Sequence, residues 1–315
     1  MTTDLTPFIK IPGGKRRVLK ELISSLPENF FDSKFKYVEP FVGGGSLALC
    51  VIDNLMKAKV KPSKINERVF LNDKNLGIAS TWNIVSSAGT RLLEEYTKLL
   101  ELGAPCMCFS EDPKEISKAN FLDIRNKFNK EIGDQPSYMI YSIKTTAKFL
   151  YLNKHCFNGL IRYNKSGEFN SPCGEYKNTQ LLNSSTILKM SEYLEGELDC
   201  DWMDFQEYTV MLMEEKVLTK DTLVYFDPPY VPLSQTAKFT EYNAHGFGLY
   251  DQIRLKATID YLTSVGVKVM LSNSSAKWVK DTYKDYNLKE IKAPRSINSV
   301  GIKRGKVSEL IITNY

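Results

Sequence analysis

Leu223-Val224-Tyr225-Phe226-Asp227-Pro228-Pro229-Tyr230 is an apolar run of strand length that ends abruptly in an acid, two prolines and an aromatic. Hydrophobicity at consecutive positions is what a strand covered on both faces of a parallel sheet requires. Asp227 is then expected at the carboxyl end of that strand, where open α/β sheets bind ligands. Neither proline has an N–H and both fix φ, so no ladder or helix continues through Pro228 and Pro229. The expected result is a stiff, exposed loop. The Asp227 carboxylate and the Pro228 carbonyl supply two acceptors for the hydrogens of an exocyclic amine, and the Tyr230 ring supplies a stacking face. A flat base such as adenine fits that set. A strand followed by an ordinary turn is the other reading of the same residues.

The chain around this stretch has 315 residues, enough for one large α/β domain with an insertion or for two modest domains. Hydrophobic residues at 43% and charged residues at 25% are ordinary globular values, which argues against a disordered chain. No stretch approaches the roughly 20 apolar residues that span a bilayer, so no membrane association is expected. Met1-Thr2-Thr3-Asp4 lacks the basic start and apolar core of a signal peptide, and a cytoplasmic location is expected. The cysteines at 50, 106, 108, 156, 173 and 200 form no Cys-x-x-Cys pair, and His155 and His245 are far apart. Zinc spacing is therefore absent, no metal is expected, and the thiols should be reduced and mostly buried. A net charge of +5 permits a polyanionic partner without requiring one.

Taken in order, Lys10-Ile11-Pro12-Gly13-Gly14-Lys15 is a glycine loop entering a helix whose apolar positions are Val18, Leu19, Leu22, Ile23 and Leu26. Such a loop lets backbone N–H groups approach a ligand, with Lys15 available to a carboxylate; a plain N-terminal turn is the alternative. Lys36-Tyr37-Val38-Glu39-Pro40-Phe41-Val42-Gly43-Gly44-Gly45-Ser46 reads as strand, glycine turn and helix, without the spacing of the dinucleotide fingerprint. A nicotinamide site is disfavoured and another nucleoside cofactor is left open. Val69 to Asp73 reads as the second strand, ending in an acid that can accept from ribose hydroxyls or simply open the helix from Asn75 to Ser87.

From Arg91 to about Tyr151 the pattern is mainly helical, an inserted region between the glycine turn and Asp227. Leu150 to Tyr176 interleaves Tyr151, Phe157, Tyr163, Phe169 and Tyr176 with Lys148, Lys154, Arg162 and Lys165, and Asn164-Lys165-Ser166-Gly167 looks like a hairpin tip. Cations for phosphates and aromatics for stacking or wedging between bases suit a nucleic-acid reader, although a solvated basic hairpin has the same composition. Beyond Asp227, α/β alternation resumes: a helix from Leu249 to Val265, a strand Val267 to Leu271, a helix from Ala276 to Tyr283, and closing strands Leu288 to Ile291 and Val307 to Ile312. The long basic loop from Pro294 to Lys306 joins the last two.

With these residues in place, the chain resembles the Dam family of DNA adenine methyltransferases. The resemblance rests on the glycine loop ending at Lys15, Glu39 to Ser46, Asp73, Leu152-Asn153 with Phe157-Asn158-Gly159-Leu160, Arg162-Tyr163-Asn164, Gly167 to Asn170, and Asp227 to Tyr230, in the family's order. It implies an α/β fold: a Rossmann-like sheet that binds S-adenosylmethionine, with an inserted helical and hairpin target-recognition domain. The catalytic domain is expected over 1–80 and 201–315 and the insert over 81–200. The implied reaction is methyl transfer from S-adenosylmethionine to the exocyclic amine of a flipped adenine in double-stranded DNA, within GATC. Carried over, Lys15, Glu39, Phe41, Gly43, Ser46, Asp73 and Asp227 line the cofactor pocket, and Ile11 stands where the family usually has an aromatic near the cofactor. Asp227, Pro228, Pro229 and Tyr230 form the catalytic loop. Phe157 matches a wedge into the duplex, Asn158 a backbone contact, Leu160, Arg162 and Pro172 base readers, and Lys10 a further DNA contact. Glu175 departs from a base-contacting arginine of some relatives. A monomer is expected. Transfer to the cytosine amine, usually marked by serine in place of Asp227, and a catalytically silent DNA-binding relative are the alternatives.

Overall fold

The computed structural model describes residues 3–31, 34–102, 113–135, 139–176, 181–232, 247–294 and 306–315. Its residues group into two compact units, one of 1–3, 15–74 and 201–315, the other of 4–14 and 75–200. The helical unit thus also takes in the segment that carries Lys10 and Ile11. The expected loop between Pro294 and Lys306 lies mostly outside the described residues, as do Cys106, Cys108 and His245.

The first unit is built on a seven-stranded sheet: β1 (Lys36–Glu39), β2 (Val69–Asn72), β3 (Cys200–Asp201), β4 (Thr222–Phe226), β5 (Lys268–Ser274), β6 (Asn287–Pro294) and β7 (Lys306–Thr313), in the order β3-β2-β1-β4-β5-β7-β6. β1 pairs in parallel with β2 and β4, and β4 with β5, whereas β7 runs antiparallel to both β5 and β6. Every residue of β4 is buried, as its unbroken apolar run demands of a central strand. After the short helix α1 (Leu19–Ile23) and β1, the chain crosses through α2 (Ser46–Lys57) to β2 on one side, and from β4 through α8 (Leu249–Ser264) to β5 on the other. The carboxyl ends of β1 and β4 therefore form the topological switch point, where such sheets open a crevice.

Apolar faces of α7 (Phe205–Glu214) and α8 close over the sheet in a cluster that includes Phe205, Tyr208, Leu212, Leu255, Ile259 and Leu262 against Val38, Val224, Phe226 and Val269. Strand β5 continues to Ser274, three residues past the apolar run from which it was expected.

The second unit packs α3 (Leu76–Leu102), α4 (Pro113–Asp134), α5 (Ile143–His155) and α6 (Ser184–Leu194) around Trp82, Val85, Phe121, Phe128, Phe149, Leu152 and Ile187. Gly77 permits the close approach of α3 to α5: a Cβ there would lie 2.6 Å from the Phe149 ring. Its helix α3 runs well past Ser87, with non-helical angles at Ala88 (φ −147°). Among the described residues no helix is long and apolar enough to cross a membrane, and Cys50, Cys156, Cys173 and Cys200 are free thiols.

Candidate active site and nucleic-acid interface

At the switch point, β4 delivers Asp227 into a loop held from behind. Gln252 Nε2 donates to the Pro229 carbonyl at 2.9 Å, the Val231 amide donates to Asn273 Oδ1 at 3.1 Å, and Ser274 Oγ donates to the Val231 carbonyl. Among the described residues nothing donates to the Pro228 carbonyl. None of Gln252, Asn273 and Ser274 was singled out by the sequence. Asn273 and Ser274 continue an apolar strand with polar residues, which reads as a loop until their buried hydrogen bonds are seen, and Gln252 is one polar residue within the helix α8.

Lys15, 6% exposed, places Nζ 2.9 Å from Asp227 Oδ1 and 4.4 Å from the centroid of the Tyr230 ring. Burial raises the Asp227 carboxyl above its ordinary range, and Lys15 pulls it back without cancelling the shift. Tyr230 donates its hydroxyl to Glu309 Oε2 at 3.0 Å. Burial, followed by the charges of Asp227 and Glu309, pushes the Tyr230 hydroxyl well up, so it stays a donor.

On the β1 side, Gly43 (φ 47°) and Gly45 (φ 59°) take left-handed angles that permit the turn into α2, and Ser46 opens that helix. Gly45 at the N-cap has no side chain to cap the first-turn amides. The Gly43 amide donates to Asp73 Oδ2 at 2.9 Å, so the acid that follows β2 is tied to the turn that follows β1. The adjoining Asn72 is fully buried and bridges Pro40 and Met203 through its amide group. The Phe41 ring stacks on Phe205, centroids 5.2 Å apart, and meets Phe226 and Phe247 edge-on.

Glu39 is 3% exposed and accepts from the Tyr37 hydroxyl at 2.6 Å. Burial raises its pKa well above the carboxylate range. The Tyr37 hydroxyl and the Ala48 amide oppose this, and the charges of Asp227 and Asp73 add to it. A carboxyl with a raised folded-state pKa binds more protons folded than unfolded, so between the two pKa values stability falls as pH rises. Replacing Glu39 by Gln, which keeps an acceptor for Tyr37, is expected to flatten that decline. Urea unfolding midpoints at acidic and neutral pH check it; an unchanged slope would mean that Glu39 is ionised throughout.

The helical unit carries the residues expected at DNA. Antiparallel bridges Cys156 to Cys173 and Tyr163 to Phe169 make 156–173 a hairpin, and its tip closes with the Gly167 amide on the Asn164 carbonyl at 3.0 Å. Phe169 anchors it: the ring is buried, and Asn129 exchanges two hydrogen bonds with its backbone. Phe157 is 55% exposed, an unusual position for so large an apolar ring, and the next residue, Asn158, has φ 55°. Pro172 is exposed, Leu160 half-buried, and the exposed Arg162 donates through Nε and Nη2 to Asn170 on the opposite arm. The Lys10 ammonium sits 2.8 Å from the Tyr176 hydroxyl, and its backbone exchanges hydrogen bonds with the Asn153 amide. Burial, then the charge of Lys10, lowers the Lys154 pKa to about 8. Ile11 falls in this unit, and Lys15, Glu39, Asp73 and Asp227 fall in the other.

A mostly parallel sheet with a glycine turn and an acid-Pro-Pro-Tyr loop at its switch point has the Rossmann-like architecture of a methyltransferase. A family profile described as D12 class N6 adenine-specific DNA methyltransferase matches residues 12–297, and the chain belongs to that family. The type II methyltransferase M.MjaIII of Methanocaldococcus jannaschii is 34% identical over 316 residues, covering 99% of this chain and 100% of that protein. The type II methyltransferase M1.LlaDCHI of Lactococcus lactis is 33% identical, covering 99% of this chain and 96% of that protein. The DNA adenine methylase of Vibrio cholerae is 30% identical over 305 residues, covering 96% of this chain and 94% of that protein.

Proposed function

We propose that the protein transfers a methyl group from S-adenosylmethionine to the exocyclic amine of an adenine flipped out of duplex DNA, within GATC. The observation that carries this reading is the Asp227 carboxylate directly after β4, beside the Tyr230 ring and a Pro228 that is buried rather than exposed as the sequence suggested, with no described residue donating to its carbonyl. The donor set at the same sheet edge suits the methyl donor. Lys15 offers an ammonium to its carboxylate, Asp73 an acceptor to its ribose, and the Gly43 to Ser46 turn backbone amides at close range. Glu39 and Phe41 complete the wall. When bound, the donor supplies an electrophilic methyl on a sulfonium sulfur.

The adenine amine is a poor nucleophile because its lone pair is delocalised into the ring. Asp227 and the Pro228 carbonyl accept from its two hydrogens, favour the pyramidal nitrogen and stabilise the positive charge that grows there. Asp227 then takes the proton, a task that its raised pKa suits. Tyr230 holds the base by stacking. Flipping costs a few kcal/mol, which contacts made by the helical unit offset. Phe157, exposed beside the left-handed Asn158, is the wedge; Asn158 contacts the backbone, and Leu160, Arg162 and Pro172 read bases. Lys10 adds attraction to the phosphates.

Asn170 engages the Nε side of Arg162, which leaves the Nη1–Nη2 edge as the fork for a guanine. Arg162→Ala is expected to lower the preference for GATC over singly substituted sites by about tenfold or more. Rates on duplexes substituted at each base outside the target adenine measure this. A parallel fall on all sequences would reduce Arg162 to a brace of the hairpin. The same duplexes test the function: labelled methyl groups should appear on the adenine amine of GATC, and failure to methylate any adenine-containing duplex would overturn the reading.

A further inference from the structure

Resting on that reading, we infer that Glu309 is a positioning residue that fixes the Tyr230 ring as the stacking face for the target base. Residue 309 belongs to β7, where it stands opposite Ser274 of β5 and Ile291 of β6. A residue paired on both sides in a ladder is held more firmly than any loop side chain. Tyr230, by contrast, lies beyond two prolines in a loop with no ladder of its own.

The hydroxyl of Tyr230 reaches Glu309 Oε2 at 3.0 Å, at the far end of the ring from its Cβ. A ring held at Cβ and at the hydroxyl can no longer swing about χ1, and the one rotation left to it, about its own long axis, is opposed by the Lys15 ammonium over its face. Lys15 covers one face of the ring, its ammonium 4.4 Å from the ring centroid and 2.9 Å from Asp227, so the base is assigned to the opposite face. One cation thus touches both the ring and the carboxylate assigned to the target adenine. A base entering the site must meet the ring at the same distance from Asp227, and the Glu309 contact sets that distance. Orientation of this kind acts on the reacting geometry and leaves the chemistry of the base unchanged.

The test is a double-mutant cycle on the full chain, read as kcat/KM for a GATC duplex, with calorimetric affinity for S-adenosylmethionine beside it. Glu309→Ala and Tyr230→Phe are each expected to lower kcat/KM by about tenfold, the scale of a lost charge-assisted hydrogen bond, and their combination should be no worse than either alone. Glu309→Gln, which keeps an acceptor for the Tyr230 hydroxyl, should restore most of the activity, and cofactor affinity should be unchanged throughout. Multiplying losses, a Gln variant as weak as the Ala variant, or a loss that follows cofactor affinity would each overturn the positioning role. Should Glu309→Ala fail to fold, Tyr230→Phe with wild-type kcat/KM overturns it equally. Absence of methylation by the unaltered protein would instead remove the functional reading on which the inference rests.

Discussion

Asp227→Ala is expected to reduce methyl transfer by about 10³-fold while leaving duplex binding close to that of the unaltered protein. The substitution removes the acceptor assigned to the amine and the group that takes its proton, and touches no residue assigned to DNA. It also removes the carboxylate 2.9 Å from Lys15, 6% exposed, so some loss of stability accompanies the loss of rate. Single-turnover methylation and anisotropy titrations with the same duplex separate the two effects. A second signature comes from pH. The working form is the carboxylate, so the rate rises as Asp227 loses its proton, and burial places that rise above the ordinary aspartate range. Robust turnover by the alanine variant would put the chemistry at another residue.

Asp73→Ala is expected to weaken binding of S-adenosylmethionine by about 1–3 kcal/mol, the scale of a lost hydrogen bond to a charged group. The same carboxylate holds the Gly43 amide at 2.9 Å, so its removal also loosens the turn that presents the first amides of α2. Asp73→Asn separates the two roles, because its carbonyl oxygen still accepts from Gly43 while the charge is gone. The expected order of affinity by calorimetry is unaltered protein, Asn variant, Ala variant. Equal affinity across the three would remove Asp73 from the pocket.

Much of the architecture follows from patterns that need no tertiary contact. The apolar run Leu223 to Phe226 can only be a strand covered on both faces, and two prolines must end it. Gly43 and Gly45 mark a turn whose left-handed angles other residues rarely adopt. Asn164 to Gly167 is a hairpin tip for the same reason, and the structure closes it there. The D12 family membership agrees with the resemblance carried by these motifs.

Other features arise only when distant segments meet. Ser272, Asn273 and Ser274 look like the start of a loop, yet they extend β5, because they pair with Ile311, Leu310 and Glu309 of β7, which leaves the side chains of Asn273 and Ser274 to satisfy the backbone of Val231. Residues 4–14 precede the sheet in sequence but group with the helices, where Asn153 takes both backbone groups of Lys10. Glu309 carries no local signal: it is one polar residue in an alternating strand, and its meeting with Tyr230 depends on where β7 inserts beside β5. Local sequence determines which backbone shapes are possible, through sterics and the period of apolar residues. Which polar side chain satisfies which distant partner is decided by the packing, since burial makes an unpaired group costly only after the fold has closed.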